Sequence, residues 1–171
     1  EVLETGGGLK KASWFFNDGP FVVMNADILT DLNLNGMIAF HQEYHPMATL
    51  AVTSRSTSRY FLFNESGRLC GWRNTKTHEE RLVANNTNAT QDITGAAGHA
   101  RPTLKEKAFS GIHVISPEIF PLIHQEGKFS MVDVYLELAG SHPIFEYDHS
   151  GTKLIDVGKP ESVPIAESLF P

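Results

Sequence analysis

The chain has a single cysteine, Cys70, so an internal disulfide framework is excluded and a reducing cytoplasm is the expected setting. No apolar run approaches the roughly 20 residues that a membrane helix needs, and no signal-peptide pattern is present. Membrane association is therefore not expected. Positive charge is scarce: 14 Lys and Arg stand against 20 Asp and Glu, and the net charge of −6 argues against binding nucleic acid through a broad basic surface. Three triplets fit the glycosylation pattern, at Asn64, Asn85 and Asn88, but nothing else points to secretion and they carry no weight. What is present is ordinary for a globular protein. The 171 residues suffice for one domain with a sizeable core, and 41% hydrophobic against 20% charged residues suits such a core.

Along the chain, Gly8 to Phe16 is expected as a short helix after a glycine turn, and Asn17-Asp18-Gly19-Pro20 as a turn. Phe21-Val22-Val23-Met24 is four apolar residues and reads as a buried strand of a parallel sheet. Asp31-Leu32-Asn33 caps a helix that carries Leu34, Met37, Ile38 and Phe40 and stops before Pro46. Ala48 to Thr53 is a strand, and residues 60 to 72 read as a β-hairpin around Asn64-Glu65-Ser66-Gly67. Ala108 to Ser116 is another strand, followed by a helix with Pro117 in its first turn. Ser130 to Ala139 fits strand alternation and helical spacing alike. Ile144 to Tyr147 and Lys153 to Val157 are short strands, and Pro160 to Phe170 is a helix interrupted or restarted at Pro164. Residues 84 to 105 are polar and nearly free of large apolar groups, and are expected to form a mobile loop. Strands alternating with helices around one hairpin imply an α/β fold with a mainly parallel, mixed sheet.

Asp27 is the most informative residue. It follows the apolar run at the expected carboxyl end of a strand, where open α/β sheets bind ligands. A carboxylate there can hold Mg²⁺ against a phosphate. Asp156, in Leu154-Ile155-Asp156-Val157-Gly158-Lys159-Pro160-Glu161, is a second candidate of the same kind. Each could instead cap a helix or close a turn. Two such aspartates suggest one metal site built from distant segments, and the expectation is that they approach each other in space. His41 and His45 stand four apart on a helix, but Gln42 occupies the Glu position of H-E-x-x-H, so the pair reads as a helix C-terminal feature. His142 and His149 are expected in loops. Glu79 and Glu80 read as a solvated run.

Four segments in order resemble the sugar-1-phosphate nucleotidyltransferases. Val22-Val23-Met24-Asn25-Ala26-Asp27-Ile28 resembles their "strand, Asn/Gly, Asp" motif, and Phe109-Ser110-Gly111-Ile112 their F-S-G-I strand. Ile155 to Glu161 is similar to their D-[IV]-G-x-P-E motif, with Lys159 in place of the commoner Thr. Leu3-Glu4-Thr5-Gly6-Gly7-Gly8 resembles the loop on which the nucleotide base rests. Within the family the likeness is strongest to the mannose-1-phosphate guanylyltransferase and N-acetylmuramate-1-phosphate uridylyltransferase group.

The resemblance implies a Rossmann-like nucleotidyltransferase fold, a helix at Ser130 to Ala139, and transfer of a nucleotidyl group from GTP or UTP to a sugar-1-phosphate such as mannose-1-phosphate. It implies Mg²⁺ held by Asp27 and Asp156 as catalytic residues, the nucleotide against Thr5, Gly6, Gly7 and Asn25, and the sugar over Gly111. The family's G-x-G-x-R-[LM]-x-P-L-[ST] loop, which grips the triphosphate, does not occur in this sequence. The expectation is a single domain over residues 1–171 that is N-terminally incomplete, inactive alone and prone to associate into homo-oligomers. The rival from another class is a non-catalytic sugar-nucleotide-binding or regulatory domain, and whether the glycine-rich loop is encoded upstream separates the two.

Overall fold

The structure is a computed structural model that describes residues 2–16, 18–83 and 103–171. Its centre is β7 (Lys105–Ile115), a strand of 11 residues. The carboxyl half of β7 pairs antiparallel with β1 (Phe21–Met24) on one side and β3 (Ala48–Thr53) on the other. Its amino half pairs antiparallel with β4 (Arg59–Phe63), which continues into β5 (Leu69–Asn74) and β6 (Glu79–Leu82). β8 (Ile144–Asp148) adds in parallel to β3. A separate two-stranded ribbon joins β2 (Ile28–Thr30) to β9 (Leu154–Asp156), with Ile28 opposite Asp156.

Every residue of β3 is buried, which requires cover on both faces of the sheet. Alternation supplies it. Ala48, Leu50 and Val52 point into the larger core, with Leu9 from α1 (Glu4–Lys11) and Val134, Tyr135 and Leu138 from α3 (Met131–Leu138). Ala51 points the other way, with Ile112 and Val114, onto Met37 of α2 (Leu34–Tyr44). The Asn33 side chain accepts from the Gly36 N–H at 3.0 Å and starts α2 where the sequence places its cap. Ser130 does the same for α3, accepting from Val132 at 3.2 Å, and α3 is the helix that the family resemblance implies. A 3-10 turn, Pro160–Ser162, precedes α4 (Val163–Leu169), which carries Pro164 in its first turn.

The mixed α/β arrangement is as expected, but its balance is not. Among the described pairings only β3 with β8 is parallel, because β7 runs against both of its central neighbours. β1 is half-exposed rather than buried, since β7 is its one partner strand among the described residues. The expected glycine turn at residues 3–8 is helix: α1 begins at Glu4, and a 3-10 turn, Ser13–Phe15, follows it. The helix expected after Ser116 is a 3-10 segment, Pro117–Leu122, with Pro121 inside it. Glu79 and Glu80 lie in β6, where Glu80 stands opposite Arg73 and forms an ion pair with it. Most of the expected mobile loop lies outside the described residues, and its last residue, Lys105, starts β7. No helix among the described residues is long and apolar enough to cross a membrane.

Candidate active site

After Met24 the chain leaves the sheet, turns through Asn25, Ala26 and Asp27, and enters β2. The Asn25 N–H donates to the Gly111 carbonyl at 2.9 Å, and the Ile28 N–H closes the turn on the Asn25 carbonyl at 3.2 Å. The Asp27 carbonyl in turn accepts from the Val157 N–H at 2.8 Å, just beyond β9. The ribbon thus holds Asp27 and Asp156 side by side. A Cβ added at Gly158 would lie 2.8 Å from Asp27 Oδ2 and 3.0 Å from Asp156 Oδ1, so both carboxylates converge on the space this glycine leaves free. The Gly158 N–H donates to Asp156 Oδ1 at 2.8 Å and orients it. Both aspartates are exposed.

Gly111 sits where the β7 register against β3 shifts between Leu50 and Val52. Its φ of +72° suits only glycine well, and a Cβ there would lie 2.7 Å from Asn25 Nδ2. The bulge and the close approach are one feature: the strand opens where Asn25 packs onto it. A cavity of about 370 Å³ adjoins this point, lined by Asn25, Ile28, Arg55, Ser110, Gly111 and Asp156 among others. Three sequence-selected residues therefore meet at one cavity, with Asp27 beside Asp156.

Thr5, Gly6 and Gly7 are not in that lining. Thr5 is exposed at the start of α1. Gly6 and Gly7 are buried, and their N–H groups donate to the Phe129 carbonyl at 3.1 and 3.3 Å. A Cβ on Gly6 would lie 2.4 Å from the Phe129 ring, and one on Gly7 2.1 Å from the Gly127 carbonyl oxygen. The close approach these glycines permit in this structure is to the segment preceding α3.

Two contributors were given no role at the site from the sequence. Arg55 lies beyond β3 in the polar run Ser54 to Arg59, which has no periodic signal. Its Nη2 donates to the Phe109 carbonyl at 3.0 Å, holding the guanidinium at the cavity. His149 does lie in a loop, as expected, but it is buried. Thr152 donates its hydroxyl proton to the His149 carbonyl at 3.0 Å, so its oxygen accepts from His149 Nδ1–H at 2.7 Å. Nε2 then accepts from the Ser110 hydroxyl at 2.8 Å. Burial lowers the His149 pKa, opposed by Asp148 and Asp31 and assisted by Arg55, which keeps the ring in this neutral form. His149 ties the strand bearing Gly111 to the loop leading to Asp156.

His41 is a correction. It is buried rather than a cationic helix end, bonded through Nδ1 to Thr49 at 2.9 Å and through Nε2 to Ser116 at 3.0 Å. Burial, helped by His45 and opposed by Glu118, lowers its pKa to about 4.

The donor set fits Mg²⁺. Among the described residues no group of three or more His, Cys, Asp or Glu gathers to hold a metal, and Asp27 and Asp156 form no salt bridge. Mg²⁺ keeps several waters and is held by one or two carboxylates together with substrate phosphates, which is what an exposed carboxylate pair offers.

No family model matches the chain. It is 29% identical over 140 residues to mannose-1-phosphate guanylyltransferase catalytic subunit beta of Danio rerio, covering 78% of this chain and 36% of that protein. The figures are the same for mannose-1-phosphate guanyltransferase beta-B of Xenopus laevis. The chain thus spans little more than a third of the length of these curated relatives. Among solved structures, HddC from Yersinia pseudotuberculosis complexed with GMP-PN superposes with a TM-score of 0.66 at 16% identity, over 100% of this chain and 64% of that one. UDP-glucose pyrophosphorylase from Acinetobacter baumanii gives a TM-score of 0.68 at 14% identity, over 97% and 55%. The chain is thus similar in sequence to mannose-1-phosphate guanylyltransferases and shares its fold with solved structures that include a UDP-glucose pyrophosphorylase.

Proposed function

We propose that the chain provides the metal and acceptor side of a site that transfers a nucleotidyl group from a nucleoside triphosphate to a sugar-1-phosphate, giving a nucleoside-diphosphate sugar and pyrophosphate. The observation that carries this reading is the convergence of Asp27 and Asp156 at Gly158, beside the cavity floored by Asn25 and Gly111. Mg²⁺ bound there would neutralise charge on the α-phosphate and the attacking phosphate. The acceptor phosphate oxygen attacks the α-phosphorus in line, forming one P–O bond as the bond to pyrophosphate breaks.

This chain's residues act by position and charge. Gly158 leaves room between the carboxylates, and Gly111 lets Asn25 pack onto the β7 backbone so that the two together floor the sugar cavity. Ser110, held by His149, fixes the wall. Holding two reactants in register removes much of the entropic barrier of such a step. Thr5, exposed at the start of α1, remains a proposed contact of the nucleotide, whereas Gly6 and Gly7, buried against the segment preceding α3, would act by shaping that turn of the helix. The narrower reading, GTP with mannose-1-phosphate, rests on the names of the sequence relatives.

The test is calorimetric binding of GDP-mannose and of mannose-1-phosphate to this chain, with and without Mg²⁺. Binding should depend on Mg²⁺ and weaken at least about tenfold in Asp27→Asn and Asp156→Asn. Mg²⁺-dependent binding that survives both substitutions unchanged would remove the assignment. Pyrophosphate release by this chain is expected to be absent, since the sequence holds no glycine-rich triphosphate loop. Robust turnover abolished by Asp27→Asn would show that such a loop is dispensable.

A further inference from the structure

Beyond Arg55 the cavity continues into a second lobe of about 360 Å³, lined by Thr53, Ser54, Arg55, Ser150, Thr152 and Leu154. Arg55 and Leu154 belong to both lobes, so the two adjoin. Neither Asp27 nor Asp156 lines the second lobe.

Its lining is rich in hydrogen-bond donors. Thr53 is only 5% exposed, and its Oγ1 is buried with no hydrogen-bond partner among the described residues. An orphaned buried hydroxyl is costly unless something meets it. The Ser54 oxygen accepts from Lys107 Nζ at 2.9 Å and lies 3.2 Å from the oxygen of Ser150, whose own proton goes to the Asp148 carboxylate, so the Ser54 proton is taken up by Ser150. Arg55 commits one N–H to the Phe109 carbonyl and keeps its other donors. The acceptors nearby are already engaged: Asp148 by Lys107 and Ser150, and Thr152 by His149. Lys107 and Asp148 neutralise each other, so Arg55 is the one charged side chain in the lining and the Thr53 hydroxyl its unpartnered donor.

We propose that this lobe is a specificity subsite for a second oxyanion, a carboxylate or a second phosphate, borne by the sugar-1-phosphate acceptor. Arg55 supplies the charge, and the otherwise unpartnered Thr53 hydroxyl supplies a directed donor. The inference rests on the proposed nucleotidyl transfer and departs from its mannose-1-phosphate reading: the acceptor is an acidic sugar-1-phosphate rather than a neutral hexose 1-phosphate.

The experiment measures the affinity of this chain, with Mg²⁺, for mannose-1-phosphate, glucuronate-1-phosphate and glucose-1,6-bisphosphate. At least one acidic acceptor should bind about tenfold or more tightly than mannose-1-phosphate, and which one does so separates carboxylate from phosphate. The ratio should collapse to about twofold or less in Arg55→Gln and shrink in the near-isosteric Thr53→Val, whose folding is checked by thermal melting. Arg55 is exposed, so its substitution leaves the fold intact. Equal binding of neutral and acidic acceptors, or a preference that persists in Arg55→Gln, overturns the subsite while the proposed function stands. Failure of every sugar-1-phosphate to bind overturns the proposed function itself.

Discussion

Gly111 and Gly8 show how differently one residue type can be used. Gly111 has a positive φ and Asn25 within contact distance, whereas a Cβ on Gly8, within α1, meets nothing within 4 Å. Gly111→Ala should therefore cost roughly 1 to 3 kcal/mol through backbone strain and displacement of Asn25. Gly8→Ala should stabilise by about 0.5 to 1 kcal/mol. Urea titration of the two variants checks both signs, and a shift in the same direction for both would contradict the difference drawn between them. Asp27, Asn25, Gly111 and Asp156 were legible in the sequence because each sits in a short motif at a strand end or inside a strand. Arg55 and His149 were not, because their importance comes from what the fold brings to them. Arg55 gains its place through the Phe109 carbonyl, and His149 through Ser110, 39 residues away in the chain.

At the scale of the element, α2 and β3 could be read with correct limits because cap, periodicity and burial agree. Asn33→Ala removes the bond to Gly36 and should cost about 1 kcal/mol, seen as a lower urea midpoint with an unchanged m-value. No change in midpoint would mean that tertiary contacts alone set the start of α2. β6 was missed for a physical reason. Its Glu79-Glu80-Arg81 has the composition of a solvated run, and only the partner strand shows that Glu80 faces Arg73 across the ladder, with Glu106 completing the ion trio. β2 was missed because three residues carry no period, and its strand character is conferred by β9. The parallel bias expected of the sheet failed because alternation of helix and strand does not reveal that β7 runs between β1 and β3 in the opposite direction.

For the whole molecule, buried histidines set an acid limit. His113, fully buried, is bonded through Nδ1 to the Tyr135 hydroxyl, and burial lowers its pKa to about 3, while that of His41 is lowered to about 4. Both are depressed in the folded state, so the unfolded chain binds more protons between pH 6.5 and about 4, and stability falls as pH falls through that window. For His113 the slope is about 1.4 kcal/mol per pH unit below the unfolded value. Glu146, whose pKa burial raises, acts with the opposite sign. Urea midpoints should drop from pH 7 to pH 5 while the His41 and His113 ring resonances of the folded protein do not titrate, and a flat stability profile would contradict this. The topology also bears on the order of synthesis. β7 closes ladders with β1 and β4 and forms one side of β3, whose other partner, β8, comes later still. As the chain leaves the ribosome from its amino end, the β4, β5 and β6 meander can pair locally, but the apolar residues of β1 and β3 must wait. Among the described residues these two strands find their shared partner only when residue 115 has emerged, and through that interval their unpaired apolar edges are open to association with other chains.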